Sequence, residues 1–315
     1  MALVDKKSVD ELLLSRSLIL VSGKGGVGKT AISSALACRA KELGRPVLLF
    51  CCDAPSELKP FANGKVLNAE VREILPRLWG VNQQTEEAVY AYLVDALKSK
   101  KLVDVMFRNK VARAFLQVAP SVGDLAMMGR IFQLAQSFTK KHQGLLIVDM
   151  PATGHALAML KSPEAIANIL VAGPVYDRAR EIVDYFKNQN KTTFLPVTWP
   201  EELPITEVIE LIDGVLQTGV GVGPVLLNGV VSNPIPSLPE NAWSQMRELG
   251  ALAEHQKWVD YLRVWSHRVN RERSRLLVAL KEKLPEENAL LDFPFLSRVP
   301  PTSSLGAELA NALAG

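Results

Sequence analysis

Sulfur is scarce in this 315-residue sequence, which has three cysteines, Cys38, Cys51 and Cys52, and no C-x-x-C. Three cysteines cannot build a disulfide framework, and without paired thiols there is no thiolate zinc site, so the usage fits a reducing compartment. A charge excess is also lacking. Lys and Arg number 36 against 33 Asp and Glu, a formal net charge of +3. That balance is too small to make nucleic acid or an anionic membrane the expected main partner, and basic spots such as KSKK (98–101) and NRERSR (270–275) read as solvated helix faces. No apolar run approaches the ~18 residues of a membrane span. The opening MALVDKKSVDELLLSRS interleaves acids and bases, with no apolar core of signal-peptide length. A cytoplasmic protein without stable membrane insertion is expected, and no nucleic-acid partner. Repeats and low-complexity tracts are missing as well.

What is present is an ordinary globular composition, 48% hydrophobic and 22% charged. Short apolar runs alternate with helical patterns. Strands are predicted at 17–22, 46–52, 144–150, 192–198, 223–231 and 290–297. Runs this apolar are buried on both faces, which implies an α/β fold with a mostly parallel, doubly wound sheet. A helix is predicted over 30–43, stopped by Gly44. Residues 56–140 carry no obvious strand and read as helical, with Ser121 and Asp124 at capping-box spacing. Trp258, Leu262, Trp265 and Val269 share one helical face, read as core packing. With no clean linker, one domain over 1–315 is expected, with a helical subdomain inserted at about 56–140.

The sequence GKGGVGKT satisfies G-x-x-x-x-G-K-[ST], with Gly23, Gly28, Lys29 and Thr30 at the fixed places, between a strand and a helix. Glycines let the backbone curl so that its N–H groups form a nest for oxyanions, and the helix start adds partial positive charge. The nest would run through Gly23, Gly25, Gly26, Val27, Gly28, Lys29, Thr30 and Ala31. Lys29 would reach the β- and γ-phosphates, and the Thr30 hydroxyl would ligate Mg²⁺. ATP and Mg²⁺ are the expected cofactors. Asp53 and Asp149 each end a strand, where α/β sheets place their chemistry. Asp149 fits the carboxylate that faces Mg²⁺, and Gly154 offers a backbone N–H with no side chain in the way.

The second lysine of the loop, Lys24, makes KGGVGKT similar to the deviant phosphate loop of ATPases that work as nucleotide-sandwich dimers. With D-x-x-x-T-G-H-x-L from Asp149 to Leu157, the chain resembles the family of arsenite-pump ATPases and ATPases that target tail-anchored membrane proteins. The resemblance covers about residues 15–313. It implies that Lys24 reaches the partner's nucleotide, that Asp53 polarises the attacking water and is also a Mg²⁺ residue, and that Asp149 holds Mg²⁺. It further implies that Asn228, Pro294 and Phe295 surround the adenine. His155 is implied as a relay of the nucleotide state, or as a helix-capping residue. The implied activity is ATP hydrolysis by a homodimer, or by a heterodimer with a related ATPase, coupled to binding and release of a client protein.

The chain departs from the family pattern in four places. The first switch reads Asp53-Ala54-Pro55-Ser56, with serine where the family has histidine, and Pro and Ala are inverted in both switches. The paired thiols that bridge some family dimers through zinc are missing. Cys51 and Cys52, adjacent on a strand, should face opposite ways, and all three cysteines are read as core residues. Only residues 156–191, 36 in all, separate His155 from Thr192, so the methionine-rich client insert is shortened or gone. Met106, Met127 and Met128 lie in the earlier helical region, where core packing is expected over a composite groove. Other readings stay open: a division-site or partition ATPase, a metabolic enzyme of the same fold, or a subunit that binds ATP without hydrolysing it.

Overall fold

Among the described residues, eight strands form one sheet in the order β3-β4-β2-β5-β1-β6-β7-β8. The strands are β1 (Leu18–Gly23), β2 (Val47–Cys52), β3 (Arg72–Leu75), β4 (Leu78–Gln83), β5 (Leu145–Ala152), β6 (Thr192–Thr198), β7 (Val225–Val230) and β8 (Leu290–Pro294). The computed structural model describes residues 6–52, 67–109, 120–230, 240–249, 256–261, 263–264, 274–275, 278 and 290–294. Every pairing is parallel except β3 with β4. The chain leaves β1 toward β2 and β4, returns through β5, and then proceeds outward on the other side through β6 to β8. The C-terminal end of β1 is therefore the point where the strand order reverses, the place where such sheets leave a crevice for a ligand.

The helices with described bounds are α1 (Lys6–Ser15), α2 (Lys29–Glu42), α3 (Thr85–Leu97), α4 (Lys100–Arg108), α5 (Pro120–His142), α6 (Thr153–Ile169), α7 (Pro174–Lys187), α8 (Glu202–Gln217) and α9 (Glu240–Leu249). Alternation along the central strands divides the core. Ile19, Val21, Leu49, Cys51 and Ile147 face α1 and α2. Leu18, Leu20, Leu48, Phe50 and Val148 face the larger layer of α3, α5, α6 and α7. Phe50, Phe132 and Phe194 are fully buried, so truncating any of them to alanine costs about 3–5 kcal/mol. Cys51 and Cys52 fall on opposite sides of the sheet, as their adjacency on a strand requires. Burial, against a smaller opposing effect of Lys41, pushes the Cys38 thiol up and keeps it a poor nucleophile.

The six strands read from apolar runs are all present. Residues 72–83 correct the expectation that 56–140 holds no strand: they form the antiparallel pair β3–β4, and β4 joins the sheet beside β2. The sequence LWGVNQ hides a strand because Gly80, Asn82 and Gln83 interrupt its apolar run, yet Asn82 and Gln83 are buried. The helical remainder is also subdivided. The run over 85–108 breaks at Lys98, whose φ is 51°, and restarts with the Ser99 hydroxyl accepting from the Leu102 N–H at 3.4 Å. Arg178 of α7 pairs with Asp95 of α3 and lies 4.8 Å over the Phe132 ring, tying three helices together. Met127 and Met128 are buried in this layer, and Met106 packs against it. Trp258, read as a core residue, is 64% exposed; Leu262, Trp265 and Val269 lie outside the described residues.

Candidate functional site

Strand β1 delivers the glycine loop to the centre of the sheet edge, and α2 begins directly after it. The turn into α2 is made by Gly28 at φ 85°, ψ 28°, left-handed values that strain any residue with a Cβ. The side chain of Asn228 closes the same position, since a Cβ on Gly28 would lie 2.4 Å from its Nδ2. Around Gly25 and Gly26 the opposite holds: a Cβ at either would meet nothing within 4 Å. The loop is thus packed tightly at its root and open along its concave middle, the shape that admits an oxyanion chain. Lys29 curls back over it, with Nζ donating to the Lys24 carbonyl at 3.2 Å.

A carboxylate and two hydroxyls converge beneath the loop. Thr30 Oγ1 donates to Asp149 Oδ2 at 2.6 Å, and Ser33 Oγ donates to Asp149 Oδ1 at 3.3 Å. Asp149 is 5% exposed. The sheet register fixes it, opposite Val21 of β1 and Cys51 of β2. Hard oxygen donors from a hydroxyl and a carboxylate, already in contact, are the donor set that suits Mg²⁺. Gly154 sits in the first turn of α6 with open space where a Cβ would be, so nothing blocks the approach to that helix start.

The other sequence-derived residues divide. Lys24, at the open end of the loop, points along its own chain: Nζ meets Glu207 Oε1 of α8 at 2.7 Å, and Thr153 Oγ1 of α6 donates to the second oxygen at 3.5 Å. His155 Nε2 lies 3.0 Å from Asp124 Oδ1 of α5. Asp124 sits within α5 and meets His155, so it links the start of α6 to the helical layer. Asn228 reaches the site, but its Nδ2 donates to the Val27 carbonyl at 2.8 Å. Pro294 ends β8, three strands from β1, paired with Val230. Asp53 and Phe295 lie outside the described residues.

Four participants escaped the sequence reading: Ser33, Glu207, Asp124 as a partner of His155, and Trp199, whose Nε1 donates to the Val27 carbonyl at 3.0 Å. Ser33 alone carried a signal, standing one position short of a full turn after Thr30 on a helix that opens at the site. The others are distant in sequence from the residues they touch. No group of three or more metal-binding side chains occurs among the described residues, and no described helix is long and apolar enough to cross a membrane.

Comparison with known proteins meets this geometry. A family model described as Anion-transporting ATPase matches residues 16–174. ATPase BagA of Mycobacterium tuberculosis is 28% identical over 225 residues, 67% of this chain and 64% of that protein. The ATPase ASNA1 homolog of Babesia bovis is 26% identical over 284 residues, covering 77% of this chain and 75% of its own length. The arsenical pump-driving ATPase of Escherichia coli is 27% identical over 215 residues, 67% of this chain and 33% of that protein. The chain thus spans 64% of the length of its mycobacterial relatives. The matched segment runs from β1 through α6, which contains the glycine loop, Asp149 and Gly154.

Proposed function

This chain belongs to the anion-transporting ATPase family, and from that premise we propose that it is a Mg²⁺-dependent ATPase working as a nucleotide-sandwich dimer. The observation that carries the reading is the 2.6 Å contact between Thr30 Oγ1 and Asp149 Oδ2 beneath an open glycine loop. The backbone N–H groups of residues 25–31 and the start of α2 receive the phosphate chain, and Lys29 swings from the Lys24 carbonyl to the β- and γ-phosphates. Thr30 and Asp149 would hold Mg²⁺, and Asp53 of the first switch is assigned to the same ion. When bound, the ion neutralises charge on the phosphate oxygens. Asp53 orients the attacking water. Lys24 leaves Glu207 and completes the partner subunit's site, so that turnover requires pairing.

Pairing is with a second copy or with a related subunit, and the whole chain acts as one domain. The nucleotide state passes from Gly154 at the start of α6 through His155 and Asp124 to α5, which supports a client protein binding the helical layer. Steady-state phosphate release tests the reading: it should need Mg²⁺, rise per subunit with protein concentration, and vanish in Asp149→Asn. Turnover that persists in chelator would sink it. A second reading, a subunit that binds ATP without hydrolysis, is favoured by Ser56 in the altered first switch. Tight ATP binding with no phosphate release under any pairing would select that one.

A further inference from the structure

We propose that Trp199 is a positioning residue for the phosphate loop, acting with Asn228 to hold the loop open before any nucleotide arrives. The inference rests on the reading of the loop as a nucleotide site and adds to it a residue outside the sequence motifs.

The Val27 carbonyl receives two donors from two neighbouring strands. Trp199, just past the end of β6, gives its indole N–H at 3.0 Å, and Asn228 of β7 gives an amide N–H at 2.8 Å. A carbonyl oxygen has two lone pairs, so both bonds form together. Val27 itself is 3% exposed, so its peptide group lies where a lost partner is not replaced by water. The consequence follows from peptide geometry. The bond between Val27 and Gly28 is planar and trans, so its C=O and its N–H point in opposite directions. Holding the Val27 oxygen against β6 and β7 therefore turns the Gly28 N–H to the opposite, concave side of the loop, where the phosphates are received. Gly28 has no Cβ, so its backbone has access to more conformations than the positive φ of 85° seen here; the two donors hold the peptide before it in one orientation.

The indole is itself held in place. A Cβ added to Gly229, whose φ is 70°, would stand 3.0 Å from Trp199 Cε2, so the ring lies flat against that glycine. Two strand ends and a glycine thus seat one tryptophan for one hydrogen bond. A preformed loop meets the phosphates without first ordering its own backbone, which is the advantage of preorganisation in binding.

Titration calorimetry on the wild type and on Trp199→Phe, with Mg-ATP and separately with inorganic tripolyphosphate, tests this. The variant keeps an aromatic ring and removes the N–H. Both ligands should weaken by a common factor of about three to ten. Unchanged affinity for both overturns the inference. A loss confined to ATP also overturns it, because it would put the indole on the base. Wild-type protein that takes ATP but no tripolyphosphate overturns it too, since a preformed nest accepts the chain without the base. Wild-type protein that binds neither overturns the nucleotide reading, and the inference with it. Should the variant fail to fold, ¹⁵N-tryptophan labelling of the wild type decides. The Trp199 indole proton should exchange far more slowly than that of exposed Trp258 and shift on adding tripolyphosphate. Exchange as fast as Trp258 would refute the hydrogen bond to Val27.

Discussion

At its helical end the phosphate loop is tied to a buried carboxylate, and six residues earlier it is tied to a half-exposed one. Thr30 meets Asp149, which is 5% exposed and fixed by its register between β1 and β2. Lys24 meets Glu207 at a similar distance, 2.7 Å, but with side chains 25% and 31% exposed, and Glu207 stands on a helix outside the sheet. Similar lengths conceal different strengths. The first is made to a buried carboxylate whose backbone is held between two strands of the sheet. The second is screened by water and worth about 0–1 kcal/mol. One end of the loop therefore rests on a carboxylate fixed in the sheet, and the other on an ion pair that water competes with.

The sharpest way to break this comparison is Asp149→Asn, which removes the fixed end. Turnover should fall to background while the protein stays folded, and measurable hydrolysis would deny Asp149 its role. Next comes Lys24→Ala, which removes the releasable end. Turnover should drop by about a hundredfold, with nucleotide affinity within about twofold of the wild type. Equal losses of both would place Lys24 in its own subunit's site. Glu207→Gln frees the lysine without removing it. At protein concentrations below saturation, turnover should rise by about two- to fivefold, the range that a pair worth at most about 1 kcal/mol allows. A fall would mean that Glu207 works in the closed state. The smallest effect belongs to Asp124→Ala, which cuts the contact with half-exposed His155. The thermal midpoint should drop by less than about 2 °C, and a loss above about 5 °C would make this contact a structural tie of the helical layer.

Much of the fold was legible because central strands of a parallel sheet are buried on both faces and therefore read as apolar runs. The span 192–198 matched β6 to the residue. Strands β3 and β4 were not legible: β3, at the edge of the sheet, is mostly exposed, and β4, though paired on both sides, carries Gly80, Asn82 and Gln83, the last two buried by their neighbours rather than by their own chemistry. In the site, the loop and Asp149 were legible because fixed spacing after a strand is a local property. Glu207 and Trp199 were not. Each acts on a residue more than 170 positions away, and nothing in its own surroundings names that target.

The sequence by itself determined the curled glycine loop, the helix that starts from it and the strand that ends in Asp149, because each depends on backbone freedom or burial within a few residues. Only the tertiary structure decided which carboxylate Lys24 meets, where Asn228 and Trp199 place their N–H groups, and how His155 reaches the helical layer. Those contacts join different strands and helices, and they exist because the parallel crossovers bring β1, β6 and β7 to one edge, with α6 and α8 beside them.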